Sequence, residues 1–166
     1  MNLQDNKYNK FFLIKEMLET GEIIKRLDIE KILSYEKEVK KERIFITGEG
    51  SSRIFPAKKI MYEARKKGYK EYFYTDCASQ ALEYKLLDST VFVASNSGKT
   101  KEDLELIRKL KIQNHDNIIT IVANAGTPIM NEAHISYLLT CGNENAVPAT
   151  KTVVEQALFY DLLFGN

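Results

Sequence analysis

From residue 43 onward the chain alternates short unbroken apolar runs with longer stretches whose apolar residues recur every three or four positions. The runs Arg43-Ile44-Phe45-Ile46-Thr47-Gly48, Glu71-Tyr72-Phe73-Tyr74-Thr75, Thr90-Val91-Phe92-Val93-Ala94-Ser95, Ile118-Ile119-Thr120-Ile121-Val122 and residues 135–140 are rich in β-branched and aromatic side chains. They lack polar alternation, the pattern of strands covered on both faces. Between them the periodicity predicts helices over 53–67, 78–84, 100–113 and 128–133, and a last one from about 149 to the chain end. Gly68 punctuates the first of these. Before residue 43, Phe11, Phe12, Ile14, Leu18, Ile23, Ile24 and Leu27 are interleaved with charges and predict a helix broken at Gly21, then a second helix over 29–39.

Strands that alternate with helices need crossover connections, hence a parallel sheet with helices on both faces. The expected fold is α/β, a three-layer αβα sandwich on a five-stranded flavodoxin-like sheet of order 2-1-3-4-5. Residues 1–42 are expected to form N-terminal helices packed on a domain of residues 43–166, one structural unit overall. Ligands of such sheets sit beyond the carboxyl ends of the strands, near the switch in strand order. Three loops therefore matter: those after the first and third strands and the one leading into the last helix.

Composition narrows the classes. The chain has 166 residues, 44% of them hydrophobic, with net charge +1. No global field attracts nucleic acid or an anionic membrane, and no apolar run is long enough to span a bilayer. The basic clusters at 37–43 and 65–67 read as solvated helix faces. Cys77 and Cys141 are widely separated, and with no signal-peptide pattern they fit reduced thiols in a cytoplasm. His115 and His134 stand alone in sequence, so no metal is expected. Tyr69, Tyr72, Phe73 and Tyr74 are expected to pack in the core beside the second strand rather than to stack on bases.

In Ser95-Asn96-Ser97-Gly98-Lys99-Thr100, the third strand gives way to a helix. Two serines and a threonine supply hydroxyl donors, and Gly98 permits a tight turn that gathers N–H groups. Thr100 is expected to cap the helix with Asp103 completing a box, and the helix start favours an anion such as a phosphate monoester. A plain Ser/Gly turn with a cap is the other reading. The spacing is not that of a Walker loop. After the first strand, Gly48-Glu49-Gly50-Ser51-Ser52 offers close backbone approach and two hydroxyls. Its Gly-x-Gly lacks the third glycine of a dinucleotide fingerprint.

A Gly-x-Gly-Ser-Ser turn paired with Ser-Asn-Ser-Gly-x-Thr resembles the sugar isomerase (SIS) family of phosphosugar isomerases and binding proteins. Within it the likeness is to the first SIS half of the isomerase portion of glucosamine-6-phosphate synthases and their fructosamine-type relatives. Phe12-Leu13-Ile14-Lys15-Glu16-Met17, Ala78-Ser79-Gln80-Ala81-Leu82-Glu83-Tyr84 and Glu144-Asn145-Ala146-Val147-Pro148-Ala149-Thr150-Lys151 carry it along the chain.

The resemblance implies that Ser95, Ser97 and Thr100 hold a sugar phosphate, joined by Ser51, Ser52, Asn96 and Gly98, with Val147 and Ala149 lining the sugar. It implies a hexose 6-phosphate or amino-sugar phosphate as partner, and no cofactor. Glu49 and Ala149 depart from the family pattern, which leaves the sugar open. The catalytic Glu and Lys of that family lie in a second SIS half. Glu144 and Glu49 are the carboxylates here that could stand in as a base. The chain is thus expected to be one half of a two-SIS isomerase or deglycase, or a single-SIS homodimer. The alternative is a non-catalytic phosphosugar-sensing module.

Overall fold

The computed structural model describes Asp5 and residues 8–165. Helices α1 (Phe12–Arg26) and α2 (Ile29–Leu33) lead through a 3-10 turn, Ser34–Glu38, into the sheet region. There follow β1 (Arg43–Gly48), α3 (Ser51–Lys67), β2 (Tyr72–Thr75), α4 (Ala78–Ala81), β3 (Ser89–Ser95) and α5 (Lys101–Ile112). The chain continues with β4 (Ile118–Val122), α6 (Pro128–Glu132), β5 (Ile135–Leu138) and α7 (Lys151–Phe164). The five strands are all parallel in the order β2-β1-β3-β4-β5, the expected topology.

Alternate strand residues divide between two cores, as the two-residue period of a strand requires. Ile44, Ile46, Phe92, Ile119, Ile121 and Tyr137 meet Ala57, Ile60 and Ala64 of α3 and Phe159, Tyr160 and Leu163 of α7. Phe45, Val91, Val93, Ile118 and Val122 meet α4, α5 and α6 through Ala78, Ala81, Leu106, Ile107, Leu110 and Ile129. Gly48 is fixed by the close approach of β1 to β3: a Cβ there would lie 2.3 Å from the Ala94 carbonyl oxygen.

The N-terminal segment corrects the sequence reading. Helix α1 runs unbroken through Gly21, because one mid-helix glycine costs only about 1 kcal/mol and tertiary burial of Ile23 offsets it. The break falls at residues 27–28, where the Asp28 carboxylate accepts the Lys31 N–H at 2.9 Å and caps α2. The expected helix over 29–39 is α-helical only to Leu33 and then tightens to the 3-10 form. Both helices pack on α7. Asn117 ties this segment to the sheet, its side chain accepting the Lys40 N–H at 3.1 Å and donating to the Glu38 carbonyl at 2.8 Å. Phe73 is buried as expected, but Tyr72 is 65% exposed on the edge strand β2.

Candidate functional site

The loops at the carboxyl ends of β1 and β3 lie side by side, since Gly48 is in register with Ala94. Ser95 closes β3, and its Oγ accepts the Gly98 N–H at 3.1 Å and lies 3.0 Å from the Thr100 hydroxyl. The exposed Ser97 Oγ accepts the Lys99 N–H at 3.2 Å. The loop thus gathers three hydroxyls at the start of α5, of which Ser97 is exposed, Thr100 half-buried and Ser95 buried. Gly98 adopts φ +65°, and a Cβ on it would lie 2.2 Å from the Thr127 Oγ1. Beside the loop is an open cavity of about 460 Å3 lined by Ser97, Lys99, Asn124, Gly126, Thr127 and Asn143.

The connection before α7 has no regular structure, and buried carboxylates hold it. Glu155 accepts the N–H groups of Thr140 and Cys141 at 2.7 and 2.8 Å, fixing the exit from β5. Glu144 accepts from the Thr150 N–H at 2.6 Å, the Thr150 hydroxyl at 2.7 Å and the Thr152 N–H at 3.4 Å. It also accepts the Thr152 hydroxyl, and the Asn96 side-chain amide at 3.2 Å. That last bond joins the connection to the loop after β3.

This arrangement of two serine-bearing loops at a strand-order switch accompanies a direct family match. The SIS domain family profile matches residues 39–165. The chain belongs to the SIS family.

No curated protein sequence matches this SIS domain. Solved structures share its fold. The C-terminal domain of glucosamine-fructose-6-phosphate aminotransferase from Francisella tularensis superposes with TM-score 0.74 at 22% identity, over 94% of this chain and 48% of that one. The present chain thus spans about half the length of that relative. A protein from Methanococcus jannaschii, for which a molecular function of 3-hexulose-6-phosphate isomerase is inferred, gives TM-score 0.61 at 22% identity, covering 91% of this chain and 84% of that one. The Vibrio vulnificus NanR protein complexed with ManNAc-6P gives 0.66 at 14% identity, covering 91% and 58%.

Of the residues singled out in the sequence, Ser95, Asn96, Ser97, Gly98 and Thr100 lie together in the turn between β3 and α5 of this SIS domain, and Ser51 and Ser52 occupy the first turn of α3 at the neighbouring strand end. Val147 is 99% exposed and covers nothing in the isolated chain, while Ala149 is half-buried. The Glu49 Oε1 accepts the Ala78 N–H at 3.1 Å.

The expected capping box does not form. Thr100 stands at the N-cap without a side-chain cap bond because its hydroxyl pairs with Ser95 instead. Asp103 is fully buried on the sheet-facing stripe of α5, and neither of its oxygens has a hydrogen-bond partner. Burial and the nearby charge of Glu49 raise its pKa to about 7, and the Thr100 hydroxyl, though not in bonding geometry, offsets part of that rise. A polar residue at the phase of Leu106, Ile107 and Leu110 is the sequence signal that finds it.

Both histidines serve the backbone. His115 Nδ1 accepts the Asn117 N–H at 3.1 Å with Nε2 3.0 Å from the Leu86 carbonyl oxygen, and burial lowers its pKa. His134 Nδ1 accepts the Ile118 N–H at 3.1 Å. Among the described residues, no group of three or more His, Cys, Asp or Glu could hold a metal. Burial and Glu155 push the Cys141 thiol well above its ordinary range, which keeps it protonated and a poor nucleophile.

Proposed function

We propose that this SIS domain binds a phosphorylated sugar, a hexose 6-phosphate or amino-sugar phosphate, in the cradle of residues 95–100. The observation that carries this reading is the cluster of Ser95, Ser97 and Thr100 hydroxyls at the start of α5, where a helix terminus adds partial positive charge. Ser51 and Ser52 contribute from the adjacent strand end, and Val147 and Ala149 approach the sugar. The fold shared with a protein complexed with ManNAc-6P supports the ligand class.

The domain serves an aldose–ketose isomerase or deglycase, with its pocket completed by a second SIS half or a second copy. Exposed Phe12, Met17 and Ile24 on α1 and Phe55 and Tyr62 on α3 support such pairing. One observation favours the sensing alternative: Glu144 has five protein donors on its two oxygens, which leaves it ill placed to shuttle a substrate proton. Calorimetric titration with fructose 6-phosphate and glucosamine 6-phosphate, with the unphosphorylated sugars as controls, tests binding. Saturable binding that depends on the phosphate is expected, and no binding at millimolar ligand would reject the reading. An isomerase assay on the same sample separates the two roles, since turnover by the isolated chain excludes a pure sensor.

A further inference from the structure

Helix α1 is inverted relative to an ordinary surface helix. Its buried residues are Glu16 and Ile23, whereas Phe12, Leu13, Met17, Leu18 and Ile24 face outward. Burying an ionised carboxylate is costly unless it is well hydrogen-bonded, so the partners of Glu16 identify what the burial achieves. Glu16 is 2% exposed and accepts the backbone N–H groups of Asn145 at 2.6 Å and Ala146 at 3.1 Å. One turn further on, Glu19 pairs with the Lys151 ammonium at 3.0 Å, and that lysine side chain is only 9% exposed. Residues i and i+3 share a helix face. A single face of α1 therefore grips both the connection that follows Glu144 and the first residue of α7.

We propose that Glu16 is a positioning residue for the sugar-binding side of the pocket, fixing the backbone of residues 145–149 while the cradle at 95–100 holds the phosphate. The inference rests on the proposed function for its ligand. Glu144 secures one side of the connection to α7 and, through Asn96, to the cradle. Asn145 and Ala146 lie beyond that anchor, and Glu16 accepts both of their N–H groups. Without its carboxylate those groups lose charge-assisted bonds, and the backbone carrying Val147 and Ala149 loses its fixed path. The phosphate cradle, held by its own serine bonds, is left intact.

The test compares two ligands on the full chain. Glu16→Gln keeps the shape and one acceptor oxygen but removes the charge. It is expected to weaken fructose 6-phosphate binding about tenfold while changing inorganic phosphate binding less than about twofold. Amide exchange at Asn145 and Ala146 is expected to speed up in the same variant, with the exchange of β3 unchanged. Glu19→Gln, on a more exposed side chain, is expected to show a weaker form of the same split. An equal loss for both ligands would mean that Glu16 merely stabilises the fold, which overturns the inference. A wild-type chain that binds no sugar phosphate overturns the proposed function and this inference together. Wild-type binding with an unaffected Glu16→Gln variant overturns only the inference.

Discussion

The Asn96 side-chain amide donates to the Glu144 carboxylate at 3.2 Å, joining two loops whose residues are 48 positions apart in sequence. Through this contact the cradle after β3 is tied to the Glu144 end of the connection before α7. Glu144→Ala strands the Thr150 and Thr152 donors and the Asn96 amide together. It is expected to cost about 2 kcal/mol or more of stability, read as a lower denaturant midpoint at unchanged slope. Asn96→Ala removes one donor and is expected to cost less. Equal effects would mean that the remaining bonds to Glu144 contribute little.

Ser97 is the most accessible hydroxyl of the cradle, and its oxygen already accepts the Lys99 N–H. Ser97→Ala is expected to weaken phosphate-ester binding by about 1–3 kcal/mol with little change in thermal stability. Calorimetry with fructose 6-phosphate measures this, and an unchanged affinity would take Ser97 out of the site.

Gly98 combines φ +65° with a place where a Cβ would lie 2.2 Å from Thr127 Oγ1 and 2.6 Å from Thr127 Cβ. Gly98→Ala is therefore expected to destabilise the domain by about 2 kcal/mol or more and to disorganise the cradle. Adding Thr127→Gly removes the steric part and is expected to recover some of the loss, leaving the left-handed strain of about 1 kcal/mol. No recovery in the double variant would show that the clash is not the cause.

Asp103 sets a pH dependence. Its folded-state pKa of about 7 lies above the ordinary 3.8, so between those values the folded chain keeps a proton that the unfolded chain has lost. Stability then falls as pH rises through that window, and the penalty is fully present above about 7, on the order of a few kcal/mol. Asp103→Asn mimics the protonated acid and is expected to raise the melting temperature at pH 8 while changing it little at pH 4. A variant with the same pH slope as the wild type would remove Asp103 from the account.

The central strands were legible because each is a short run of β-branched and aromatic residues bounded by turn signals, too short for a helix and buried on both faces. The turn after β3 was legible because hydroxyls and a glycine sit at the junction of the third strand with its helix. Gly21 misled because glycine punctuates weakly when a helix is packed against a neighbour. Thr100 and Asp103 misled because the threonine hydroxyl had a nearer partner in Ser95. Spacing along a helix does not reveal competition from a side chain on the preceding strand.

By itself the sequence determined the αβα layering and the strand-to-helix loops, since these follow from local periodicity and the handedness of crossovers; it suggested the flavodoxin-like strand order, which the sheet then showed. Only the tertiary structure decided what the carboxylates do. Glu16, Glu144 and Glu155 became buried acceptors for backbone donors, and Asp103 became a buried acid without a partner. A carboxylate's role depends on its burial and on which donors face it, and those donors come from segments that are distant in sequence.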